Sequence, residues 1–431
     1  MRSIFNRTSR WKTKKALGVI AALALTSGIL LAFVIPVSAL TGDDWQYWEL
    51  AKNIVQRGEF AIRAGSPTAW RSPGYPFFLA GLMLMGLKQV RTVRMIQVLL
   101  HLATAGMVYQ SARKLTSDSI AMISAALVAF WPALLSSTTF VLSETLTTFL
   151  LMATIYASIR QWRGDHSNQR WAAASGLFWG LTALCHPSVL LVPIPFLPLA
   201  LAQKENCRKK TYLVLVSLCC CLLLQAPWVI RNALAFHAFI PTNTNSGISL
   251  FRGSYVPWDG YDQGWNAPPL NVLARNRSPF RSVDAQYLNQ TGRKYALQST
   301  LEQPAKAAGL YCRKWARLWA PTPGSPDQVF GSQSLFYGMR LLHLLAVCLA
   351  MLVLFDPALY RRQLLFLFGV LLNWTLIHAF FEAMPRYALP VLPLILVLSS
   401  IGLQTMITRI QTMIRSMSDH KRHKEHLFGM E

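Results

Sequence analysis

Residues 41–51 read TGDDWQYWELA and follow the first long apolar run of the chain, residues 16–37. Asp43 and Asp44 therefore place two adjacent carboxylates at the predicted mouth of a membrane helix. Acidic side chains are scarce in this protein, which has 18 Asp and Glu against 42 Lys and Arg. A carboxylate pair at a membrane boundary indicates a site of chemistry, because solubility alone does not require it there.

The composition predicts a membrane protein. The chain has 431 residues, of which 53% are hydrophobic and only 14% charged, so it has more apolar surface than a soluble fold of this size needs to bury. The formal charge of +24 comes largely from short basic clusters between apolar runs, as the topology rule for cytoplasmic loops expects. We therefore expect membrane lipids as partners and no nucleic acid.

The apolar runs predict an all-α polytopic fold with about ten membrane helices and both termini in the cytoplasm. The first run can also be interpreted as a signal peptide cleaved after Ala39, but it is longer than a signal core, which favours an uncleaved helix. The predicted helices cover residues 16–39, 92–112, 117–136, 140–160, 171–186, 188–203, 211–230, 334–355, 363–381 and 387–407. A basic N-terminus, 1–15, and a basic tail, 408–431, flank one transmembrane domain, 16–407.

Two long segments are predicted on the noncytoplasmic side, residues 40–91 and 231–332. The first begins with an amphipathic helix that carries Trp45 and Trp48 and ends at Gly58. Its second apolar stretch, residues 77–87, is too short to span a membrane. The other segment is predicted to be helical from residue 284 to about 319, with an interruption at Pro304, and its excess of basic residues indicates an anionic partner.

Three carboxylates are the candidate catalytic residues. Asp43 or Asp44 can accept a proton from a hydroxyl nucleophile, or one of them can simply cap the helix that follows. Glu144 lies in an otherwise uncharged run near the outer end of the fourth predicted span. A charge at the bilayer centre costs about 2.5–3.5 kcal/mol, so we expect Glu144 to face a polar cavity; a surface glutamate at a helix start is the alternative.

Arginines near the same side are candidates for binding phosphate. Arg71 lies in the rigid turn RSPGYP. Arg386 and Tyr387 lie at the start of the last predicted span, and Arg231 lies at the end of the seventh predicted span. Planar guanidinium groups fit phosphate oxygens. Arginines at these positions can equally extend to lipid headgroups with no specific ligand.

Together these motifs resemble the GT-C superfamily of membrane glycosyltransferases, in the branch related to protein O-mannosyltransferases and the aminoarabinose transferase of lipid A. The resemblance rests on the stretches DDWQYWELA (43–51), GEF (58–60), RSPGYP (71–76), SET (143–145), GLTALCHP (180–187), PW with RN (227–232) and RYALP (386–390). His186-Pro187 is a departure, because relatives commonly have Arg-Pro at that point.

The resemblance implies an inverting transfer of a sugar from a polyprenyl-phosphate donor to a lipid, glycan or protein acceptor, with Asp43 as general base. It also implies that Tyr47, Tyr75 and His186 contact donor or acceptor. The expected location is a bacterial plasma membrane. The acidic pair with Glu144 can host a divalent metal, although no ligand spacing demands one. The competing functions are a transporter or flippase of lipid-linked saccharides and a non-catalytic envelope assembly protein.

Overall fold

The computed structural model describes residues 2–37, 39–162, 168–191, 207–258, 264–319, 333–355 and 362–428. Within these ranges the chain is helical, and an isolated bridge between Arg63 and Ser66 is the only β-type pairing. The predicted all-α class is therefore confirmed.

The N-terminal helices are α1 (Arg2–Val34), α2 (Asp43–Arg57), α3 (Gly74–Leu84), α4 (Val90–Ala112), α5 (Asp118–Phe130), α6 (Pro132–Ser137), α7 (Glu144–Trp162) and α8 (Asn168–Cys185). The C-terminal helices are α9 (Cys207–Phe236), α10 (Ser246–Ser254), α11 (Leu270–Leu273), α12 (Ser282–Glu302), α13 (Pro304–Leu318), α14 (Gln333–Leu352), α15 (Arg362–Phe380) and α16 (Leu392–Phe428). Short 3-10 turns cover Pro187–Leu191, Val256–Trp258, Val353–Phe355 and Pro385–Val391.

Five segments of the described chain are long and apolar enough to cross a membrane: Thr13–Val34, Val90–Ala112, Arg208–Phe236, Tyr337–Phe355 and Pro385–Ser418. Three shorter apolar helices cover Gly74–Leu84, Asp118–Phe130 and Leu364–Phe380. The protein is thus a polytopic membrane protein, and the count of ten spans stays a prediction. Most of the sixth predicted span, residues 192–203, lies outside the described residues.

The helix boundaries in residues 40–91 and 231–332, named the first and the long outer segment after their predicted side of the membrane, agree with the sequence pattern. Helix α2 ends where Gly58 adopts a left-handed conformation at φ 69°. The N–H of Gly58 donates to the carbonyl group of Ile54, and the N–H of Glu59 donates to that of Asn53. A residue with a side chain disfavours that conformation, which is why glycine terminates the helix. Pro304 separates α12 from α13 and occupies the start of α13, where its missing N–H costs nothing.

The third predicted span was wrong as a single helix. Helix α5 ends at Phe130, Trp131 is extended at φ −65° and ψ 120°, and Pro132 starts the short α6. The reason is the steric conflict between a proline ring and a helical conformation of the preceding residue. Gln97 of α4 holds the chain that follows α6, because its side-chain amide nitrogen, Nε2, donates to the carbonyl oxygens of Thr138 and Phe140 at 2.9 and 2.7 Å.

The last helix also differs from the prediction. It was expected to end near residue 407, before a separate basic tail, but α16 continues to Phe428. The first helix likewise extends into the basic N-terminal segment and starts at Arg2. Basic residues in these segments are strong helix formers, so nothing in them forces an end at the limit of the apolar run.

Three apolar clusters meet around one cavity. The largest contains Trp374 and much of α16, a second joins α2 to the outer segment through Phe251 and Trp70, and a third packs Tyr47 and Tyr75 between α2 and α3. The cavity is bounded by members or neighbours of all three, including Trp70, Tyr47 and Tyr387. Its position at their junction allows distant parts of the chain to contribute side chains.

Close packing between α8 and α9 depends on Gly176, because a Cβ atom there would overlap the backbone carbonyl of Ser217. We expect Gly176→Ala to lower the thermal unfolding midpoint, since overpacking a buried contact costs about 1–3 kcal/mol. Gly81→Ala is the matched control, because no atom lies near the added Cβ at that position. Differential scanning fluorimetry in detergent measures both variants. Equal midpoints for the two variants would contradict this account of the helix contact.

Candidate functional site

An ion bridge forms the centre of the candidate site. Asp43, the first residue of α2, accepts a hydrogen bond from Nη2 of Arg71 on Oδ1 and another from Nη2 of Arg386, at 2.6 Å, on Oδ2. Arg71 is oriented further by donating from Nε to Oε1 of Gln46 at 2.7 Å. The alternative that Asp43 merely caps α2 is wrong, because the N-cap position is occupied by Gly42, which makes no side-chain cap hydrogen bond.

Glu144 joins this cluster from α7, where it is the first residue of the helix. Its Oε1 lies 3.5 Å from Nε of Arg386, and the side chain is buried. The alternative of a surface glutamate is therefore wrong. One arginine at the start of the last helix thus contacts two carboxylates that are about a hundred residues apart in sequence.

The cluster faces a cavity of about 580 Å³. Charged groups on its wall are the carboxylates of Asp43, Glu144 and Glu382 and the guanidinium groups of Arg71, Arg293 and Arg386. Its apolar lining includes Leu142, Pro187, Leu190, Ile377 and Phe381, and its neutral polar lining includes Ser72, Thr242, Asn243, Asn245, Ser246 and Ser249. Such a mixture can hold a ligand with an anionic group, an apolar part and hydroxyl groups.

The charges around Asp43 decide its protonation state. Burial favours the neutral acid, but the guanidinium groups of Arg71 and Arg386 outweigh burial and hold the pKa of Asp43 below its ordinary value. Asp43 is therefore ionised at neutral pH. Burial raises the pKa of the nearby Tyr47 phenol, with a smaller opposing effect of Arg71, so Tyr47 is neutral and can donate a hydrogen bond.

Two of the predicted contact residues lie on the cavity wall as expected. Tyr47 lines it beside Arg71, whose guanidinium lies 5.6 Å from the ring centre. The His186 ring packs against Trp374 at 5.2 Å and also contacts His378 and Tyr387. Tyr387, predicted to bind phosphate, also lines the cavity and lies under the Arg386 guanidinium at 5.5 Å.

Three predicted site residues do not line the cavity. Asp44 accepts the Trp45 N–H at 2.8 Å on Oδ1, and Tyr75 is fully buried, donating its hydroxyl to Oε1 of Gln97 at 2.8 Å. Arg231 donates from Nη1 to the carbonyl of Thr68 at 2.9 Å and lies among aromatic rings, which makes it part of the packing between α9 and the first outer segment. Asp44 does not line the cavity with Asp43 because neighbouring residues on a helix point in different directions.

Sequence reasoning missed the polar wall that the long outer segment contributes. Asn243, Asn245 and Ser246 lie around the start of α10, and Arg293 comes from α12. These residues are in a part of the chain whose pattern specifies helices but not their orientation. No local signal identified them, although the basic excess of the segment had indicated an anionic partner.

Lys314 is a second feature that the sequence did not reveal. The side chain is fully buried and donates from Nζ to the carbonyl groups of Gly253, at 2.7 Å, and Ala379. These carbonyls belong to the last turns of α10 and α15, where a cation is favourable. Lys314 thus joins α13 to α10, which contains Ser249, and to α15, which Glu382 follows, and both of these residues line the cavity.

Comparisons with known proteins agree with this architecture. A family model described as dolichyl-phosphate-mannose-protein mannosyltransferase matches residues 70–230. The structure of the oligosaccharyltransferase AglB from Archaeoglobus fulgidus, in complex with an inhibitory peptide and a dolichol-phosphate, superposes with a TM-score of 0.56 at 14% identity. That alignment covers 95% of this chain and 52% of AglB. This likeness shows that the chain shares its fold with AglB.

The chain spans about half the length of the AglB chains that it matches. A second AglB structure, in complex with Zn and sulfate, gives a TM-score of 0.55 at 12% identity and covers 91% of this chain and 50% of that one. ArnT from Cupriavidus metallidurans, bound to undecaprenyl phosphate, aligns at 13% identity over 89% of this chain and 77% of ArnT, with a TM-score of 0.45. No curated protein sequence matches the chain.

The residues around Asp43 do not fit a metal ion. Among the described residues, no group of three His, Cys, Asp or Glu side chains is close enough to hold one. Both oxygens of Asp43 accept from guanidinium groups, and two neighbouring cations disfavour a dication at the same place. The expectation of a divalent metal at Asp43, Asp44 and Glu144 is not supported by this donor set.

We expect the buried Lys314 to make stability depend on pH. Burial lowers its pKa to about 7, with partial compensation by Glu382, whereas the unfolded chain keeps a value of about 10.4. Between these values the unfolded chain binds more protons, so stability increases with pH. The midpoint of the wild type should therefore rise from pH 7 to pH 9 relative to Lys314→Met.

Thermal unfolding at several pH values measures this difference. Lys306→Met, which removes an exposed lysine from the same helix, should follow the wild type. Parallel pH curves for the wild type and Lys314→Met would show that Lys314 does not titrate on unfolding in this range.

Proposed function

We propose that this protein transfers a sugar from a polyprenyl-phosphate donor to an acceptor on the noncytoplasmic face of the membrane, with inversion at the anomeric carbon. The observation that carries the proposal is the ion bridge of Asp43 with Arg71 and Arg386 inside a cavity with an apolar wall. The family match over residues 70–230 supports it, because that family is described as dolichyl-phosphate-mannose-protein mannosyltransferase. So does the dolichol-phosphate in the AglB complex.

The two arginines provide the binding energy for the donor phosphate. The side chains of Arg71 and Arg386 are only 15% and 31% exposed, so both guanidinium groups are weakly screened by water. A phosphodiester oxygen fits the planar guanidinium as well as a carboxylate does. The isoprenoid part of such a donor would lie along Leu142, Pro187, Leu190 and Ile377, where burial of apolar surface is favourable.

The state of Asp43 without a donor requires a further step. Its two oxygens are both occupied by guanidinium groups, and its pKa is depressed, which makes it a weak base. A bound phosphate competes for those same donors. As the arginines turn to the phosphate, Asp43 loses hydrogen bonds and neutralising charge, so its pKa rises and an oxygen becomes available to the acceptor.

The chemical step is then a direct displacement. The acceptor oxygen or nitrogen forms a bond to the anomeric carbon, the bond from that carbon to the phosphate oxygen breaks, and Asp43 takes the acceptor proton. The polyprenyl phosphate leaves with one additional negative charge, which Arg71 and Arg386 stabilise. Glu144 keeps Arg386 in place and offsets part of its charge, so that product release is not blocked.

Replacement of Asp43 by Asn tests the assignment of the base. The amide keeps the size of the side chain but cannot accept the proton, so transfer should fall by on the order of 10²–10⁴-fold. The measurement is consumption of a radiolabelled polyprenyl-phosphate sugar by purified protein with an acceptor extract. Asp44→Asn is the matched control and should retain activity, because Asp44 does not line the cavity.

Two outcomes would contradict the proposal. Retained transfer by Asp43→Asn, with an unchanged unfolding midpoint, would remove Asp43 as the base. Movement of the labelled lipid across reconstituted vesicles without consumption of the sugar donor would favour the transporter instead.

The lowered pKa of Asp43 also predicts the pH profile of the free enzyme. A depressed pKa means that the carboxylate stays ionised as pH falls, so kcat/KM should show no acidic limb from Asp43 above about pH 4. Arg71→Gln removes one of the two charges that hold the pKa down. We expect an acidic limb at higher pH in this variant, measured as kcat/KM between pH 4 and 8. An acidic limb near pH 6 in the wild type would assign the essential base to another group.

A further inference from the structure

We infer that Arg293 and the polar wall beside it form an acceptor subsite that binds an acidic saccharide. This inference rests on the proposed function, because it names the acceptor class of the same cavity. The subsite consists of Arg293 of α12, Ser246 of α10, and Asn243 and Asn245 before α10.

The balance of charge in the cavity singles out Arg293. Arg71 and Arg386 both bind Asp43, and Arg386 also contacts Glu144. Glu382, the third carboxylate on the wall, lies 3.9 Å from Arg252. Among the described residues, no carboxylate forms an ion pair with Arg293, although its side chain lines the same cavity. An anionic group on a ligand would supply that missing charge.

The position of the guanidinium is defined by the wall itself. Arg293 donates from Nη2 to the hydroxyl of Ser246 at 3.2 Å, and Ser246 lies close to Oδ1 of Asn289 on the same helix as Arg293. Glycine at 247 permits this approach, because a Cβ there would overlap the backbone of Asn289. The close contact of α10 with α12 thus holds Arg293 against the cavity.

Neighbouring amides indicate that the anionic group belongs to a hydroxyl-rich molecule. Asn243 donates from Nδ2 to the hydroxyl of Ser72 at 2.9 Å, which links the wall to the residue after Arg71. The Oδ1 atoms of Asn243 and Asn245 are buried, with no hydrogen-bond partner in the described part of the chain. A buried acceptor without a donor costs free energy, which the hydroxyl groups of a saccharide can recover after a small side-chain rotation.

These features favour a saccharide over a peptide. A peptide would be held by main-chain pairing along an extended edge and by pockets for alternate side chains. The described cavity wall is instead made of helix ends, amides and hydroxyl groups. The acceptor would thus place its anionic group at Arg293 and its nucleophilic hydroxyl toward Asp43.

Binding to the purified full-length protein tests the inference without any need for turnover. Ligand-observed saturation-transfer NMR gives dissociation constants for glucose 6-phosphate, glucuronate, glucose and a serine-containing acidic peptide. Inorganic phosphate, which has no observable proton, is measured by its competition with glucose 6-phosphate. The two acidic sugars should bind more tightly than glucose or inorganic phosphate. Arg293→Gln should weaken their binding by about tenfold or more, as expected for the loss of a charged hydrogen bond.

Two variants control for charge and for folding. Lys294→Gln removes the same charge from the next residue, which is exposed like Arg293 but does not line the cavity, so it should bind as the wild type does. Arg293→Lys retains the charge and should recover part of the affinity. Once transfer is established, Arg293→Gln should raise the KM for the acceptor and leave the KM for the donor unchanged.

Several results would overturn the inference. Equal affinities of Arg293→Gln and the wild type would place the anion elsewhere in the cavity. Binding of glucose or inorganic phosphate as tight as that of glucose 6-phosphate would remove the acidic-saccharide requirement, and tighter binding of the peptide would indicate a protein acceptor. Binding at Arg293 in a wild type that consumes no donor would refute the proposed function alone.

Discussion

The bridge from Asp43 to Arg71 and Arg386 is the constraint on which the site depends. It joins the start of α2, the turn before α3 and the entry to α16, and its outermost members are 343 positions apart in the sequence. Burying charged groups is costly, and a buried ion pair often stabilises a protein no better than apolar residues would. A cluster of two arginines and two carboxylates beside a cavity is thus better explained by what it binds than by the stability of the fold.

The charged centre is held by helix ends rather than by flexible loops. Asp43 and Glu144 are the first residues of their helices, and Arg386 lies in the 3-10 turn that leads into α16. Carboxylates at helix N-termini also gain from the aligned peptide dipoles. The same arrangement leaves the side chains free to exchange partners, because only their backbone is fixed. That combination suits the proposed exchange, in which the donor phosphate replaces the Asp43 carboxylate.

The sequence predicted much of the framework, and the reasons are local. Gly58 and Pro304 end or separate helices through their own backbone preferences, so their positions are legible without any tertiary information. The grouping of Asp43, Arg71, Glu144 and Arg386 followed from the placement of scarce charges on one predicted side of the membrane, together with the family resemblance. The structure brings all four together.

What the sequence did not predict depends on packing between distant segments. Arg231 and Tyr75 have the residue types of a binding site but are used to join helices, and nothing in their neighbours distinguishes the two uses. Lys314 is different, since it occupies the helical stripe of Ala307, Leu310 and Leu318, all buried. The i, i+3, i+4 spacing of that stripe was a signal that the lysine faces inward.

Gln97 of α4 connects two neighbouring parts of the chain. It donates through its amide nitrogen to the carbonyl groups of Thr138 and Phe140, which follow α6, and accepts the Tyr75 hydroxyl through its amide oxygen. One side chain therefore satisfies two carbonyl groups outside the helices and at the same time anchors α3. Position 97 needs a hydrogen-bond donor and an acceptor on the same side chain. The isosteric carboxylate of glutamate would repel the two carbonyl oxygens. Few residue types meet both demands, so this position tolerates fewer substitutions than the apolar positions around it.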